Sequence, residues 1–133
     1  MATEEADYEL IPERLQTLGI SLVSEWDALA FVYRHGSSLG TAAQIARFIG
    51  YGDVEIAAAL RTLDARGLIQ RSRVSRGIRF YQLSEALEPS RRSYLVDLLS
   101  LAQSRSGRLL VIQHLKGPVR VLRRARTSTF GVA

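Results

Sequence analysis

The stretch TAAQIARFIGYGDVEIAAALRTLDARGLIQ, from Thr41 to Gln70, leaves few folds open. Thr41 followed three residues later by Gln44 is the pattern of a capping box, so a helix starts there. Ala42, Ile45, Ala46 and Ile49 recur at helical spacing, and Gly50 stops the run. Tyr51 and Gly52 make a turn, and Asp53 is placed to cap a second helix. That helix has Ile56, Ala59, Leu60 and Leu63 as its apolar stripe. It ends at Gly67, in the left-handed conformation that glycine adopts cheaply. Each stripe is one-sided, so each helix must bury that side against something else.

The flanks supply the partners. Leu10, Ile11, Leu15 and Leu18 have helical spacing and stop at Gly19, which predicts a short helix over 10–20. A second helix is expected over 24–36, with Ser24 as cap and Asp27 reaching back to it. Trp26, Leu29, Ala30, Val32 and Tyr33 form its apolar face, and Gly36 ends it. After Gly67 come LIQRSRV (68–74) and IRFYQLS (78–84), both rich in β-branched and aromatic residues. Ser75-Arg76-Gly77 separates them, a hairpin signal. Pro89 then breaks the chain and Ser90 caps a helix over 90–103, with SRSG (104–107) as an interruption. RLLVIQHLK (108–116) reads as helix or strand, with helix favoured.

The expected architecture is therefore mainly α with a small β-hairpin: a winged helix-turn-helix with flanking N- and C-terminal helices. Its divisions are a disordered acidic stretch (1–9), the winged helix with its leading helix (10–84), C-terminal helices (85–117) and a basic tail (118–133).

Charge is unevenly spread. Residues 1–27 carry seven acids and one base, net −6. Residues 28–133 carry six acids and seventeen bases, net +11. Such asymmetry calls for a polyanionic partner of the basic part. There are no cysteines, which excludes disulfides and thiolate metal sites and suits a reducing, cytoplasmic setting. The acidic opening is unlike a secretion signal, and no apolar run approaches a membrane span. His35, at a helix C-terminus, is expected to cap it, and His114 to be structural. No nucleophile elbow, phosphate-binding glycine loop or carboxylate–histidine cluster is present, so neither catalytic residues nor cofactors are expected. An aromatic ligand pocket from Trp26, Tyr33, Phe80 and Tyr94 is an alternative to plain core.

From Thr41 to Arg79 the sequence resembles winged-helix transcriptional regulators of the MarR and ArsR type. TAAQIARFIG, LRTLDARGLI and RSRVSRGIRFYQL carry the likeness. The resemblance implies a homodimeric prokaryotic regulator on double-stranded DNA, with the third helix in the major groove and the wing on the backbone. ArsR-type metal sensing does not carry over, because this chain has no cysteine and two distant histidines.

Candidate DNA contacts follow from the periodicity. With Ile56, Leu60 and Leu63 inward, Val54, Ala58 and Arg61 face out, and Glu55 flanks them. Arg61 matches guanine, Glu55 a cytosine amino group, and Val54 and Ala58 offer only contact with thymine methyls. Arg47 lies on the outer face of the supporting helix. Arg71, Arg73, Arg76 and Arg79 stand in a stretch free of acids and suit phosphates. Tyr94, Leu95, Leu98, Leu99 and Ala102 are expected at a dimer interface, with closure of the chain's own core as the alternative. Arg120, Arg123, Arg124 and Arg126 make the tail a DNA arm or a solubilising end. The shortage of polar groups on the recognition face keeps two other readings open: a protein-interaction module, and a binder of nucleic acid indifferent to sequence.

Overall fold

The computed structural model describes residues 10–35, 41–71 and 80–117. The order is α1 (Ile11–Leu18), α2 (Val23–His35), α3 (Ala42–Ile49), α4 (Asp53–Ala65), β1 (Ile69–Arg71), β2 (Tyr81–Leu83), α5 (Pro89–Leu101) and α6 (Arg105–Ile112). Helices α2, α3 and α4 followed by an antiparallel pair are the parts of a winged helix. The register is Ile69 with Leu83, Gln70 with Gln82 and Arg71 with Tyr81. Ser84 N–H continues the ladder to the Leu68 carbonyl at 3.0 Å.

Most stripe positions read from the sequence are buried, although Tyr33 is exposed and Leu10, Ala42 and Ile49 are half-buried. Ile56, Ala59, Leu60 and Leu63 of α4 are enclosed, as are Ile45 and Ala46 of α3 and Trp26, Leu29 and Val32 of α2. Helix α2 is the hub. It packs on α4, α3 and β2, while α1 packs on α5 and α5 on α6. One apolar cluster takes residues from all of these, from Ile11 to Ile112.

Helix starts depart from expectation more than helix ends do. Gly19, Gly50 and Gly67 all take left-handed φ, at 82°, 82° and 78°, as the stops required. Ser24, however, lies inside α2 and is buried. The group that caps α2 is Glu25, whose Oε1 accepts from Ser21 N–H (3.0 Å) and Leu22 N–H (3.2 Å). A glutamate at the third helical position reaching back does half the work of a capping box. Asp53 is the first residue of α4, not its cap; Gly52 occupies that position without a side-chain bond. Likewise Ser90 lies within α5, which starts at Pro89 behind Glu88. A proline in the first turn loses no helical hydrogen bond.

The SRSG segment does not interrupt the helices for its whole length. Ser104 caps α6 by accepting from Gly107 N–H at 3.0 Å, so α6 starts at Arg105. Gly107 permits this tight corner: a Cβ there would stand 1.8 Å from the Leu101 carbonyl oxygen. After α6 the chain returns to α2. Lys116 N–H donates to Ser21 O and Val23 N–H to Lys116 O, both at 2.9 Å. Leu22 and Lys116 thus form an isolated parallel bridge.

Arg91 of α5 acts on two helix ends together. Its Nη2 donates to Leu18 O at 3.3 Å and to Arg66 O at 3.0 Å, a cation where the dipoles of α1 and α4 are negative.

The clash at Gly107 gives a direct test. Gly107→Ala forces α5 and α6 apart, and the expected loss is about 1–3 kcal/mol or more, the range for overpacking. A urea or thermal melt unchanged by the substitution would show that the corner is looser than described.

Candidate nucleic-acid interface

The helix-turn-helix is built from its caps. Thr41 Oγ1 accepts from Gln44 N–H and Gln44 Oε1 accepts from Thr41 N–H, each at 3.2 Å. This is the reciprocal box the sequence predicts, and it fixes where α3 begins. At the other end, Gly50 and Tyr51 N–H groups both reach the Ala46 carbonyl, at 2.9 and 3.0 Å. Gly50 turns the chain, and Tyr51 and Gly52 pass it to α4.

Tyr51 anchors that turn. Its ring is buried, and its hydroxyl donates to Asp27 Oδ2 on α2 at 2.7 Å. Asp27 also accepts from Arg108 on α6, through Nη2 at 2.9 and 3.0 Å and Nε at 3.3 Å. One carboxylate therefore ties the central helix, the turn before α4 and the last helix. Paired, fork-shaped contact of this kind is the strong form of an ion pair. Burial, and then the neighbouring Asp27 carboxylate, push the Tyr51 hydroxyl well above the usual phenol range.

Outward from this anchor, α4 presents one clean face. Val54 is 83% exposed. Ala58, Arg61 and Ala65 are exposed with it, while Glu55 and Ala57 are half-buried on its flanks. Arg47 is exposed on α3 beside Phe48, which is 69% exposed and stands 5.3 Å from the Phe31 ring and 5.8 Å from His35. Neither Arg47 nor Arg61 has an ion pair among the described residues.

Arg71 differs from expectation. It is exposed on β1, but its Nε sits 2.8 Å from Asp64 Oδ2 of α4. Its charge is locally balanced, although a pair this exposed is worth little and can be exchanged. Arg73, Arg76 and Arg79 lie outside the described residues, as do the acidic stretch and the basic tail.

The residues expected at a dimer interface are accounted for differently. Leu95, Leu98, Leu99 and Ala102 are at most 4% exposed, enclosed in this chain's own core. Tyr94 is half-buried with the Arg14 guanidinium 5.2 Å above its ring. The reason is α1, which covers the stripe of α5.

An open cleft of about 190 Å³ lies between α2 and the α5–α6 corner, lined by Trp26, Phe31, Arg34, His35 and Arg108 among others. Of the four aromatics suggested for a pocket only Trp26 lines it; Tyr33 is exposed, and Phe80 and Tyr94 lie elsewhere. His35 stacks on Phe31 at 4.2 Å, and His114 is on the surface rather than in the core. Among the described residues no three metal-ligating side chains cluster, and no helix is long and apolar enough to cross a membrane.

No protein-family model matches the sequence, and no curated protein matches it. Among solved structures, the crystal structure of the transcriptional regulator SlyA is one to which the chain is similar. It shares 16% identity and a TM-score of 0.47 over 81% of this chain and 90% of that one. The winged-helix assignment rests on the element order and strand pairing given above.

The Tyr51 anchor predicts a particular pH response. The folded chain holds the phenolic proton to higher pH than the unfolded chain, which releases it near 10. Its stabilising share is therefore complete below about pH 10 and falls as pH rises beyond that. Tyr51→Phe should cost about 1.5–3 kcal/mol at neutral pH, the range for a hydrogen bond to a charged group. The gap between the two proteins should narrow above about pH 10 in urea titrations. A gap constant with pH would show that the hydroxyl contributes no proton linkage.

Proposed function

We propose that this chain is a DNA-binding transcriptional regulator that lays α4 in the major groove of a duplex. The observation that carries the reading is the exposed face of α4. Val54, Ala58, Arg61 and Ala65 stand out from a helix whose start is locked by Tyr51, and that face holds no acid. A rigid helix presented by its neighbours is what major-groove docking needs. Arg61 reads a base, Glu55 flanks it, and Arg47 on α3 reaches the backbone. Arg71, Arg73, Arg76 and Arg79 give the wing its phosphate contacts, with Arg71 exchanging Asp64 for phosphate. The net +11 of residues 28–133 supports the electrostatic part of this reading.

A single face with one strong polar reader holds little sequence information. The reading therefore includes a homodimer, whose two α4 helices would meet half-sites about 34 Å apart. The contact between copies would use surface other than the α5 stripe.

A second reading has its own support. Phe48 and Val54 are large apolar side chains exposed near one another in sequence across the turn, which also suits a protein partner.

Fluorescence anisotropy with the protein's own upstream DNA and a scrambled duplex, over a salt series, separates these readings. Regulation predicts tighter upstream binding and a steep fall with salt, of slope about −0.9 per phosphate contacted. Arg61→Ala should lower discrimination by about 1–3 kcal/mol, and Arg73→Ala with Arg76→Ala should weaken all duplexes and flatten the slope. Steep but equal binding indicates a charge-driven binder. Absence of binding near physiological salt removes the DNA reading and favours a protein partner.

A further inference from the structure

We propose that α4 reads the C5-methyl groups of pyrimidines, with Val54 and Ala58 as the reading side chains; this rests on the DNA-binding reading above. Val54 and Ala58 lie four residues apart, so they are neighbours on one face, about 6 Å from each other. Val54 is 83% exposed and Ala58 is exposed with it. Neither has a donor or an acceptor. On the base edges of the major groove the apolar feature is the thymine methyl, which has no counterpart on guanine, adenine or unmodified cytosine. The same carbon stands in the same place on 5-methylcytosine.

Val54 gains little from burial within the fold. A β-branched residue is a weak helix former, and this one lies in the first turns of α4 with almost no burial to compensate. Alanine, which fills 57, 58 and 59, would serve the helix better. What valine adds is a broad, stiff apolar end aimed at solvent. The anchoring of Tyr51 to Asp27 three residues earlier fixes its direction, so it can meet a flat base edge without first being ordered. Arg61, two turns along the same face, supplies the polar contact that sets orientation. The chemistry of the face is thus mainly methyl contact with one guanine-matching cation.

The test begins with selection of a duplex from a random-sequence pool by the wild-type protein. The selected duplex is then made with thymine and with deoxyuridine throughout, which removes only the methyl groups. Each methyl withdrawn from water is worth about fourfold in Kd, so the wild type should bind the uracil duplex several-fold to tens of fold more weakly. Val54→Ser, at an exposed position, keeps the fold by circular dichroism and should show a clearly smaller preference for the thymine duplex than the wild type, with Ala58 keeping the remainder. A third duplex carrying 5-methylcytosine opposite guanine at the same positions separates the two sources of the methyl. Retained affinity assigns the reading to the methyl on either base, and lost affinity assigns it to thymine.

Equal binding of the thymine and uracil duplexes by the wild type would overturn the proposal while leaving DNA binding intact. A thymine preference that persists undiminished in Val54→Ser would overturn it too, since the methyls would then be read elsewhere. Failure to enrich any duplex, with no salt-dependent binding, would instead remove the DNA-binding reading on which it stands.

Discussion

The Asp27 carboxylate is the point on which the arrangement of helices depends. It accepts from the Tyr51 hydroxyl and from the Arg108 fork, and so joins residues from the middle, the turn and the far end of the chain. Taking a carboxylate partly out of water is costly unless its oxygens are bonded. Here both oxygens are. The same contacts that satisfy the charge also set the angle at which α4 leaves the turn. Apolar packing holds the helices together, but packing alone tolerates small rotations. A hydrogen bond of 2.7 Å to a fixed oxygen does not.

Around that point the fold is closed by polar groups at helix ends. Glu25 serves the start of α2, Thr41 and Gln44 the start of α3, and Ser104 the start of α6. Arg91 covers the carbonyl ends of α1 and α4. Short helices of eight residues, such as α1, α3 and α6, are marginal on their own. With ends satisfied and one face buried, they become fixed parts of one core.

What could be read from the sequence was whatever its near neighbours decide. The Thr41–Gln44 box and the stops at Gly19, Gly50 and Gly67 are local in chain, and each appears where expected. The inward stripe of α4 follows from period alone, and its outward face with it. Ser24, Asp53 and Ser90 misled because a capping type of residue was present at a helix start without being the one used. Asp27 was assigned a local role, while its real partners lie 24 and 81 positions away, a distance no spacing rule covers. The α5 stripe was legible as apolar, but the sequence could not decide between a dimer interface and the chain's own core, because that depends on α1 packing across it. For the same reason, Arg71 was legible as basic but not as paired with Asp64, which α4 brings to the strand.

The bridge between Leu22 and Lys116 has a consequence for how the protein is made. Synthesis delivers the N-terminal part first, and contacts between distant residues close last. Helices α2 to α4 can assemble while the ribosome is still adding α6. Throughout that interval Asp27 lacks Arg108, and the strand-like contact at Ser21 and Val23 lacks its partner. Helix α4 is thus present before its support is complete. Its final setting waits for the last residues of the described chain.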